Sequence, residues 1–449
     1  MLKRARNLRT GLRRTSSRNP HRRPTLPRPK HPIPAVEDLK SSAADDPPAA
    51  LRRVLSSTDP ALLDYPACSA LAYRLARAGL FSELDELLLF LRSRRIPCTG
   101  FLFSALIRHF SGASLPHKAL DLFFSIPSFN CRHPSPSLHT FNRLLDALVD
   151  NGRHDEAKRI LSGCSQFGLR PNVVSYNIML KGRLRTDGYE SARQMFDDMR
   201  KRGVSPSVVS YNMLIGFAGK NGELSKAMGL KEEMIRKEIY PNATTYAILM
   251  KGMCSSENYV VAKKLMFDME YRGCRTKVLN FGVLMSDCGR RGDFDEMKRL
   301  LAEMRLRKMR PDNVTYSILV NYLCGSDRVD EAYRMLVEME VKEGRKPSAA
   351  VYRIMVDGFC RVREFEKGLG ILNAMMVCGH CPRPETFGRL VTGLVEGGRV
   401  DEAWFVMGEM EKRKLVLARG EWSCLVEMIC GKCEGGVELL SELSYGGGG

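Results

Sequence analysis

The sequence lacks long hydrophobic runs and has few aromatic residues. Only two of its 449 residues are tryptophan, and aromatic residues together make up 8%. The most apolar stretch, residues 84–91, contains Asp85 and Glu86, whereas a membrane-spanning helix needs ~18 successive apolar residues. A membrane span is therefore excluded. The 44% of hydrophobic residues predict a folded core that is aliphatic and rich in methionine.

Acidic residues are missing from the first 36 positions, which carry nine arginines and two lysines. An Arg-rich, acid-free segment with no long apolar core is typical of an organellar transit peptide rather than a secretory signal peptide. The alternative is a basic tail that binds nucleic acid loosely. If this segment directs import, its many arginines and few serines indicate the mitochondrion rather than a plastid as the destination. Residues 37–64, with six acids and three bases, are predicted to be a linker.

A period of 35 residues governs the rest of the chain. The sequence VVSYNIML at 173–180 returns as VVSYNMLI at 208–215, and related segments recur at the same step. A fixed period of this length is typical of repeat architectures. The predicted units are 65–99, 100–137, 138–172, 173–207, 208–242, 243–277, 278–312, 313–348, 349–383 and 384–418, followed by a truncated repeat or cap with a glycine tail at 419–449.

Each unit predicts two antiparallel helices. In the 173–207 unit, one apolar stripe at helical spacing precedes Gly188 and a second stripe follows it. The stripes are Tyr176, Met179, Leu180 and Leu184, and then Ala192, Met195, Phe196 and Met199. One hairpin cannot bury both stripes, but stacked neighbours can. The sequence therefore predicts an all-α fold, a right-handed α-solenoid superhelix of stacked helical hairpins.

The unit resembles the pentatricopeptide repeat, and the chain is similar to the pure-repeat class of that family. The shared features are the period, a Tyr–Asn pair such as Tyr211–Asn212, the alanine and late methionine of the second helix, and the closing proline. The signature of the tetratricopeptide repeat, which binds peptides, is absent. The resemblance covers residues 65–449 and implies single-stranded RNA binding, with each base recognised by two or three side chains of one repeat.

The resemblance also implies which residues contact a base. Family members use the fifth and the last residue of a unit as base readers, and the second residue sandwiches the base. The implied reader pairs are Asn142 with Asn172, Asn177 with Ser207, and Asn212 with Asn242, and the implied sandwich residues are Val174, Val209 and Thr244. Such pairs favour a pyrimidine in the family, so residues 138–242 are expected to prefer pyrimidines. The alternative for Asn142, Asn177 and Asn212 is helix capping, because asparagine near a first turn satisfies free backbone N–H groups.

Beyond residue 242, the residues at the reader positions are no longer ones that the family is known to use. The fifth residues there include Ala247, Gly282, Arg353 and Gly388, which are not established readers, and Ser317, which is ambiguous. Basic residues nevertheless recur at the thirteenth position of five units, at Arg77, Arg185, Lys220, Arg290 and Arg361. Their shared phase predicts a basic ladder along one side of a groove. The ladder either contacts RNA phosphates or forms a solvated face.

Catalytic and metal-binding motifs are weak. The C-x-x-C pairs at 378–381 and 430–433 have the spacing of zinc or redox sites, but Cys430 shares its repeat position with Cys254 and Cys324, an apolar slot. The His-Asp-Glu sequence at 154–156 fits half of a zinc-deaminase motif whose other half does not follow. We therefore predict no enzyme, no metal and no cofactor.

These features predict a sequence-selective single-stranded RNA-binding protein of mitochondria. It would act on the processing, stability, splicing or translation of organellar transcripts by binding, together with other organellar RNA-processing proteins. The alternative is an α-solenoid scaffold that binds proteins with little direct RNA readout, which the missing readers of 243–418 favour.

Overall fold

The structure is a computed structural model that describes residues 46–57, 64–131 and 136–413. The predicted transit peptide at 1–36, most of the predicted linker and the predicted terminal cap at 419–449 lie outside the described residues, as does the pair at 430–433. The described residues form two compact parts, one up to Arg170 and one from Pro171 onward.

The N-terminal part contains seven α-helices within its described residues. They are α1 (Pro47–Ser56), α2 (Tyr65–Ala78), α3 (Phe81–Ser93), α4 (Gly100–Gly112), α5 (Pro116–Ser125), α6 (Leu138–Asp150) and α7 (His154–Ser162). An isolated parallel β-bridge joins Cys98 to Cys131, and no β-strand occurs in the described ranges.

The C-terminal part contains fourteen α-helices within its described residues. They form seven helical hairpins, in each of which a first helix is followed by a second. The helices are α8 (Val173–Thr186), α9 (Gly188–Lys201), α10 (Val208–Lys220), α11 (Leu224–Arg236), α12 (Ala243–Ser255), α13 (Tyr259–Tyr271), α14 (Val278–Arg291), α15 (Phe294–Leu306), α16 (Asn313–Gly325), α17 (Val329–Glu343), α18 (Ala349–Arg361), α19 (Phe365–Val377), α20 (Pro384–Glu396) and α21 (Val400–Lys412).

Stacking of the hairpins follows one rule throughout the C-terminal part. Each first helix packs against its own second helix and against the first helix of the next hairpin, as α10 does with α11 and α12. The prediction of an all-α solenoid of stacked helical hairpins is confirmed. The 35-residue period places each first helix in the same environment, so every apolar stripe finds a neighbour.

Aromatic side chains at the fourth residue of the first helices fill the centre of this stack. Each is at most 2% exposed, because it lies between its own second helix and the adjacent hairpins. Burial of such a side chain stabilises the fold by about 1.5–3 kcal/mol. The series is Tyr176, Tyr211, Tyr246, Phe281, Tyr316, Tyr352 and Phe387.

One close approach between first helices depends on glycine. A Cβ atom on Gly252 of α12 would lie 3.0 Å from the Cα of Gly219 on α10. Two backbones therefore meet without intervening side chains, and the hairpins at this step can approach closely. Among the described helices, none has the length and apolar character needed to cross a bilayer.

Candidate nucleic-acid interface

A polar residue that the sequence analysis assigned as a base reader directly precedes each of three first helices, α8, α10 and α12. Asn172 accepts hydrogen bonds from the N–H groups of Val174 and Ser175 at 3.0 and 3.1 Å. Asn242 does the same for Thr244 and Thr245, both at 3.0 Å. The last residue of the preceding unit is therefore the N-cap of the next first helix.

Ser207 is the third such cap. Its Oγ accepts a hydrogen bond from the N–H of Ser210 at 3.4 Å, and its own N–H donates to the Oγ of Ser210 at 3.1 Å. This reciprocal arrangement is a capping box. A cap residue holds its side chain in a fixed direction at the start of the helix, which is the property that a base reader requires.

The three asparagines at the fifth position do not cap helices α6, α8 and α10. Those caps are Ser137, Asn172 and Ser207. Asn142, Asn177 and Asn212 lie one residue beyond the first turn and are half-buried, so none of them is turned fully to bulk water. Capping therefore does not explain their presence, and that alternative is wrong.

Asn177 is held by a side chain of the next hairpin. The Oγ of Ser210 donates a hydrogen bond to the Oδ1 of Asn177 at 2.6 Å and lies 3.3 Å from the Oγ of Ser207. The implied readers Asn177 and Ser207 are thus joined through one buried hydroxyl. The Nδ2 of Asn177, a hydrogen-bond donor, takes no part in this contact. Sequence reasoning missed Ser210, whose only signal was a hydroxyl residue at the third position of the unit.

Asn212 is in a different state. Its Oδ1 is buried and has no hydrogen-bond partner among the described residues. The corresponding hydroxyl of the next hairpin, on Thr245, lies 3.3 Å from the Oδ1 of Asn242. A buried acceptor without a donor is destabilising by about 1–3 kcal/mol.

Apolar side chains stand exposed at the second position of the first helices. Val174 and Val209 are exposed, as is Thr244, which matches the assigned sandwich positions. Leu279 and Val314 occupy the same position in the next two units and are also exposed. The sequence analysis did not single out these two residues, although the fixed period marks them. An exposed aliphatic surface beside a polar reader suits contact with the face of a base.

The basic ladder is exposed at all five of its residues, Arg77, Arg185, Lys220, Arg290 and Arg361. Arg290 and Arg361 are already engaged within the C-terminal part. Arg290 pairs with the carboxylate of Asp287 at 2.6 Å, and Arg361 donates a hydrogen bond to the carbonyl of Cys324 at 2.7 Å. Arg290 would therefore contact a phosphate at the expense of an existing ion pair.

Cysteines occupy an apolar environment in the first helices. Cys254 and Cys324 are buried, and burial raises the pKa of each thiol to about 12. A thiol with so high a pKa is not a nucleophile at neutral pH. In the described ranges, no group of three or more metal-ligating side chains comes together.

Comparison with protein families identifies the repeat. A model described as the PPR repeat family matches residues 136–185, 171–218, 206–255, 276–325 and 318–361, and a PPR repeat model matches 244–274, 350–380 and 385–415. These segments cover more than half of the chain. The chain belongs to the pentatricopeptide repeat family.

Two curated pentatricopeptide repeat proteins from Arabidopsis thaliana, both named as mitochondrial, are similar to it. One is 46% identical over 33% of this chain and 31% of its own length, and the other is 30% identical over 36% and 35%. The chain thus spans about a third of the length of the curated relatives it matches.

Three solved structures match this chain at low sequence identity. The pentatricopeptide repeat protein PPR10 from maize is 21% identical, with a TM-score of 0.42 over 90% of this chain and 67% of PPR10. PPR10 in its complex with an 18-nucleotide psaJ RNA element is 18% identical, with a TM-score of 0.44 over 93% of this chain and 66% of PPR10. Yeast Rmd9p in complex with a 16-nucleotide target RNA is 11% identical, with a TM-score of 0.37 over 84% of this chain and 93% of Rmd9p.

Proposed function

We propose that this pentatricopeptide repeat protein binds single-stranded RNA selectively and acts on organellar transcripts by binding, without catalysis. The observation that carries the proposal is the polar site at the start of α8 and α10. There Asn177, Ser210 and Ser207 form one hydrogen-bonded set beside the exposed Val174 and Val209.

The site has the three contacts that an unpaired base requires. Amide and hydroxyl groups meet the edge of a base, aliphatic side chains cover its face, and cations neutralise the phosphates. Asn177 offers its Nδ2 as a donor, and the half-buried Asn212 places a second amide at the same position of the next repeat. The pyrimidine preference proposed for 138–242 rests on the family's use of Asn–Asn and Asn–Ser reader pairs.

The mitochondrial proposal rests on the acid-free, Arg-rich N-terminus and on the names of the relatives. A protein that holds a transcript extended would block exonucleases or refolding, and so affect processing, stability, splicing or translation. Expression of the full chain with a C-terminal fluorescent tag tests the location. A tag that stays outside mitochondria would contradict it.

RNA selection on the purified full chain is the direct test of binding. We expect enrichment of sequences with a short pyrimidine run at about 0.15 M ionic strength, where exposed charges are already substantially screened. The double variant Asn177→Ala, Asn212→Ala should lose the enrichment while its helix content stays unchanged. Asn373→Ala on the second helix α19 is the matched control and should select as the wild type does. Binding only at low salt, with no sequence preference, would sink the proposal.

A further inference from the structure

Four second helices of the C-terminal part carry an exposed apolar residue in their last turn, at the same position of the repeat. We call this set the apolar row, and its members are Tyr271, Leu306, Val341 and Val377. They are 94%, 83%, 77% and 89% exposed, respectively. Singly scattered apolar residues are normal on a protein surface, but a recurrence at one phase of a 35-residue period is not scatter.

The other hairpins of the C-terminal part are polar at this position. It holds Lys201 at the end of α9, Arg236 at the end of α11 and Lys412 at the end of α21. The fold therefore does not need an apolar residue there, because three of seven hairpins have a cation. The row is restricted to residues 243–383, within the part of the chain, 243–418, where established base readers are missing.

Polar bridges connect the ends of these second helices into one surface. Arg307 directly follows Leu306, and Glu270 directly precedes Tyr271. Arg307 forms an ion pair with Glu270 at 2.5 Å. Arg305 pairs with Glu338 and Glu343 of α17 at 2.9 and 3.1 Å, so α15 and α17 are joined next to Leu306 and Val341.

The fourth member is connected in the same way. His380, which follows α19, lies 3.1 Å from the carbonyl of Pro347, in the segment that follows α17. Neighbouring members of the row are therefore parts of a continuous surface rather than isolated side chains.

Positive charge lines the apolar row on one side. The segments that directly follow its first three members, 272–277, 307–312 and 342–347, hold nine bases and two acids. The corresponding segments of the two preceding hairpins, 202–207 and 237–242, hold two bases and one acid. Arg272, Lys308 and Arg310 are exposed and have no ion-pair partner among the described residues. An occupant must therefore be apolar where it meets the row and acidic beside it.

The row suits one extended occupant. Ion pairs join α13 to α15 and α15 to α17 beside its members, so successive members lie along one surface. In an α-helix, residues seven apart face the same side, so a single amphipathic helix can present apolar residues to the row in succession. A second copy of this chain would bring like charges together, which disfavours self-association.

We propose that the apolar row is a docking site for an amphipathic helix of a partner protein, with acidic residues flanking its apolar stripe. Four apolar residues of that helix contact the row, and its carboxylates face the arginines and lysines of the flanking segments. This site is formed by second helices and is separate from the polar site of the first helices. It does not depend on RNA binding.

A designed peptide tests the proposal on the full chain. The probe is a helical peptide of about 24 residues, with leucine at every seventh position, glutamate beside each leucine and alanine elsewhere. One control peptide has serine in place of leucine, and another has lysine in place of glutamate. Fluorescence anisotropy of labelled peptide gives the dissociation constants. We expect the probe to bind at least tenfold more tightly than either control peptide.

Row variants assign the contact. Leu306→Lys and Val341→Lys introduce the residue type that Lys201 and Lys412 provide naturally, so both variants should fold. Each should weaken probe binding at least tenfold and leave RNA affinity unchanged. Val260→Lys on α13, which replaces a valine that is 79% exposed outside the row, is the matched control and should bind the probe as the wild type does.

Five outcomes would overturn the proposal. Equal binding of the probe by the wild type and the row variants would show that the row is not the contact. Equal affinity of the wild type for the probe and for the lysine peptide would show that the contact does not select acidic partners. A concentration-dependent dimer that the row variants lose would assign the surface to a second copy. Flotation with phosphatidylcholine–phosphatidylserine vesicles that only the wild type shows would assign it to a membrane. Loss of RNA affinity in the row variants would assign it to RNA.

Discussion

The hairpins at 173–236 and those at 243–377 share one core and differ at their surfaces. Both carry a buried aromatic residue at the fourth position of the first helix and apolar residues along the second. The first region adds half-buried amides at Asn177 and Asn212, and cations at the ends of its second helices. The second region has Ala247 and Gly282 at the reader position, and the apolar row. The period thus maintains the stack, and the residues outside the core decide what each stretch binds.

The largest expected effect tests whether the two cores are equivalent. Phe196 in the first region and Phe281 in the second are both fully buried. Replacement of either by alanine should cost about 3–5 kcal/mol, through lost burial and the cavity that remains. Urea denaturation with hydrogen exchange by mass spectrometry measures the loss and its location. Exposed Val209→Ala and Leu306→Ala are controls that should stay within about 0.5 kcal/mol. A large loss in only one region would contradict a common core.

Ion pairs between successive second helices stabilise both regions and allow a pH test. Glu296 accepts hydrogen bonds from Tyr259 at 2.9 Å and Lys263 at 2.7 Å. Burial alone would raise the pKa of Glu296, but the hydrogen bonds from Lys263 and Tyr259 outweigh it and hold the pKa below its usual value. Its contribution to stability is therefore present above about pH 4.3 and is lost as the pH falls through the lower pKa of the folded state.

Glu296→Gln should accordingly lower the free energy of unfolding by about 1–3 kcal/mol at neutral pH. The difference from the wild type should shrink below about pH 4, as the native carboxylate becomes protonated. Thermal melts over a pH series measure both quantities, and Asp295→Asn, an exposed neighbour, is the control. A difference that does not change with pH would show that the charge of Glu296 contributes nothing.

The sequence predicted the stack better than the surface. The apolar stripes predict the hairpins because core positions obey the period wherever the helices pack. The state of Asn177 was not predictable, since its partner Ser210 lies 33 residues away and its hydroxyl direction depends on the N–H of Ser207. The burial of the Asn212 Oδ1 has no signal in the sequence at all. The apolar row is visible at a fixed phase, but a stripe search treats apolar residues as buried.

A reader introduced into the second region would sharpen the comparison. A Cβ atom at Gly282 would meet the Cδ1 of Ile318 at 3.5 Å, an ordinary contact, so a side chain fits there. Gly282→Asn places an amide where Asn177 and Asn212 carry theirs. One added hydrogen bond of about 0.5–1.5 kcal/mol should raise RNA affinity roughly 2–10-fold. Gly282→Ala is the control for helix stabilisation and should leave RNA affinity unchanged. Equal gains for both variants would argue against base contact.

Two hydroxyl residues at the third position separate base positioning from capping. Ser210 and Thr245 each complete a capping box, with Ser207 and Asn242 respectively. Only Ser210 also holds the Oδ1 of Asn177. Ser210→Ala and Thr245→Ala should therefore destabilise their helices by similar amounts, about 0.5–2 kcal/mol. Only Ser210→Ala should reduce base selectivity, by roughly threefold at one position of the selected RNA, because the freed amide can turn. The same loss in Thr245→Ala would place the effect in the cap.

The smallest effect concerns the basic ladder, where the two regions differ in how their cations are held. Lys220 has no ion-pair partner among the described residues, whereas Arg290 is paired with Asp287. Each phosphate contact on a single strand contributes a slope of about −0.7 to the dependence of log affinity on log salt. Lys220→Ala should make that slope less steep by about this amount. Arg290→Ala should change the slope less, because a phosphate can contact Arg290 only by displacing the carboxylate of Asp287. In this variant the buried carboxylate of Asp287 keeps its ion pair with Arg291 at 2.9 Å. Equal changes in RNA titrations over a salt series would show that the existing pair does not compete with phosphate.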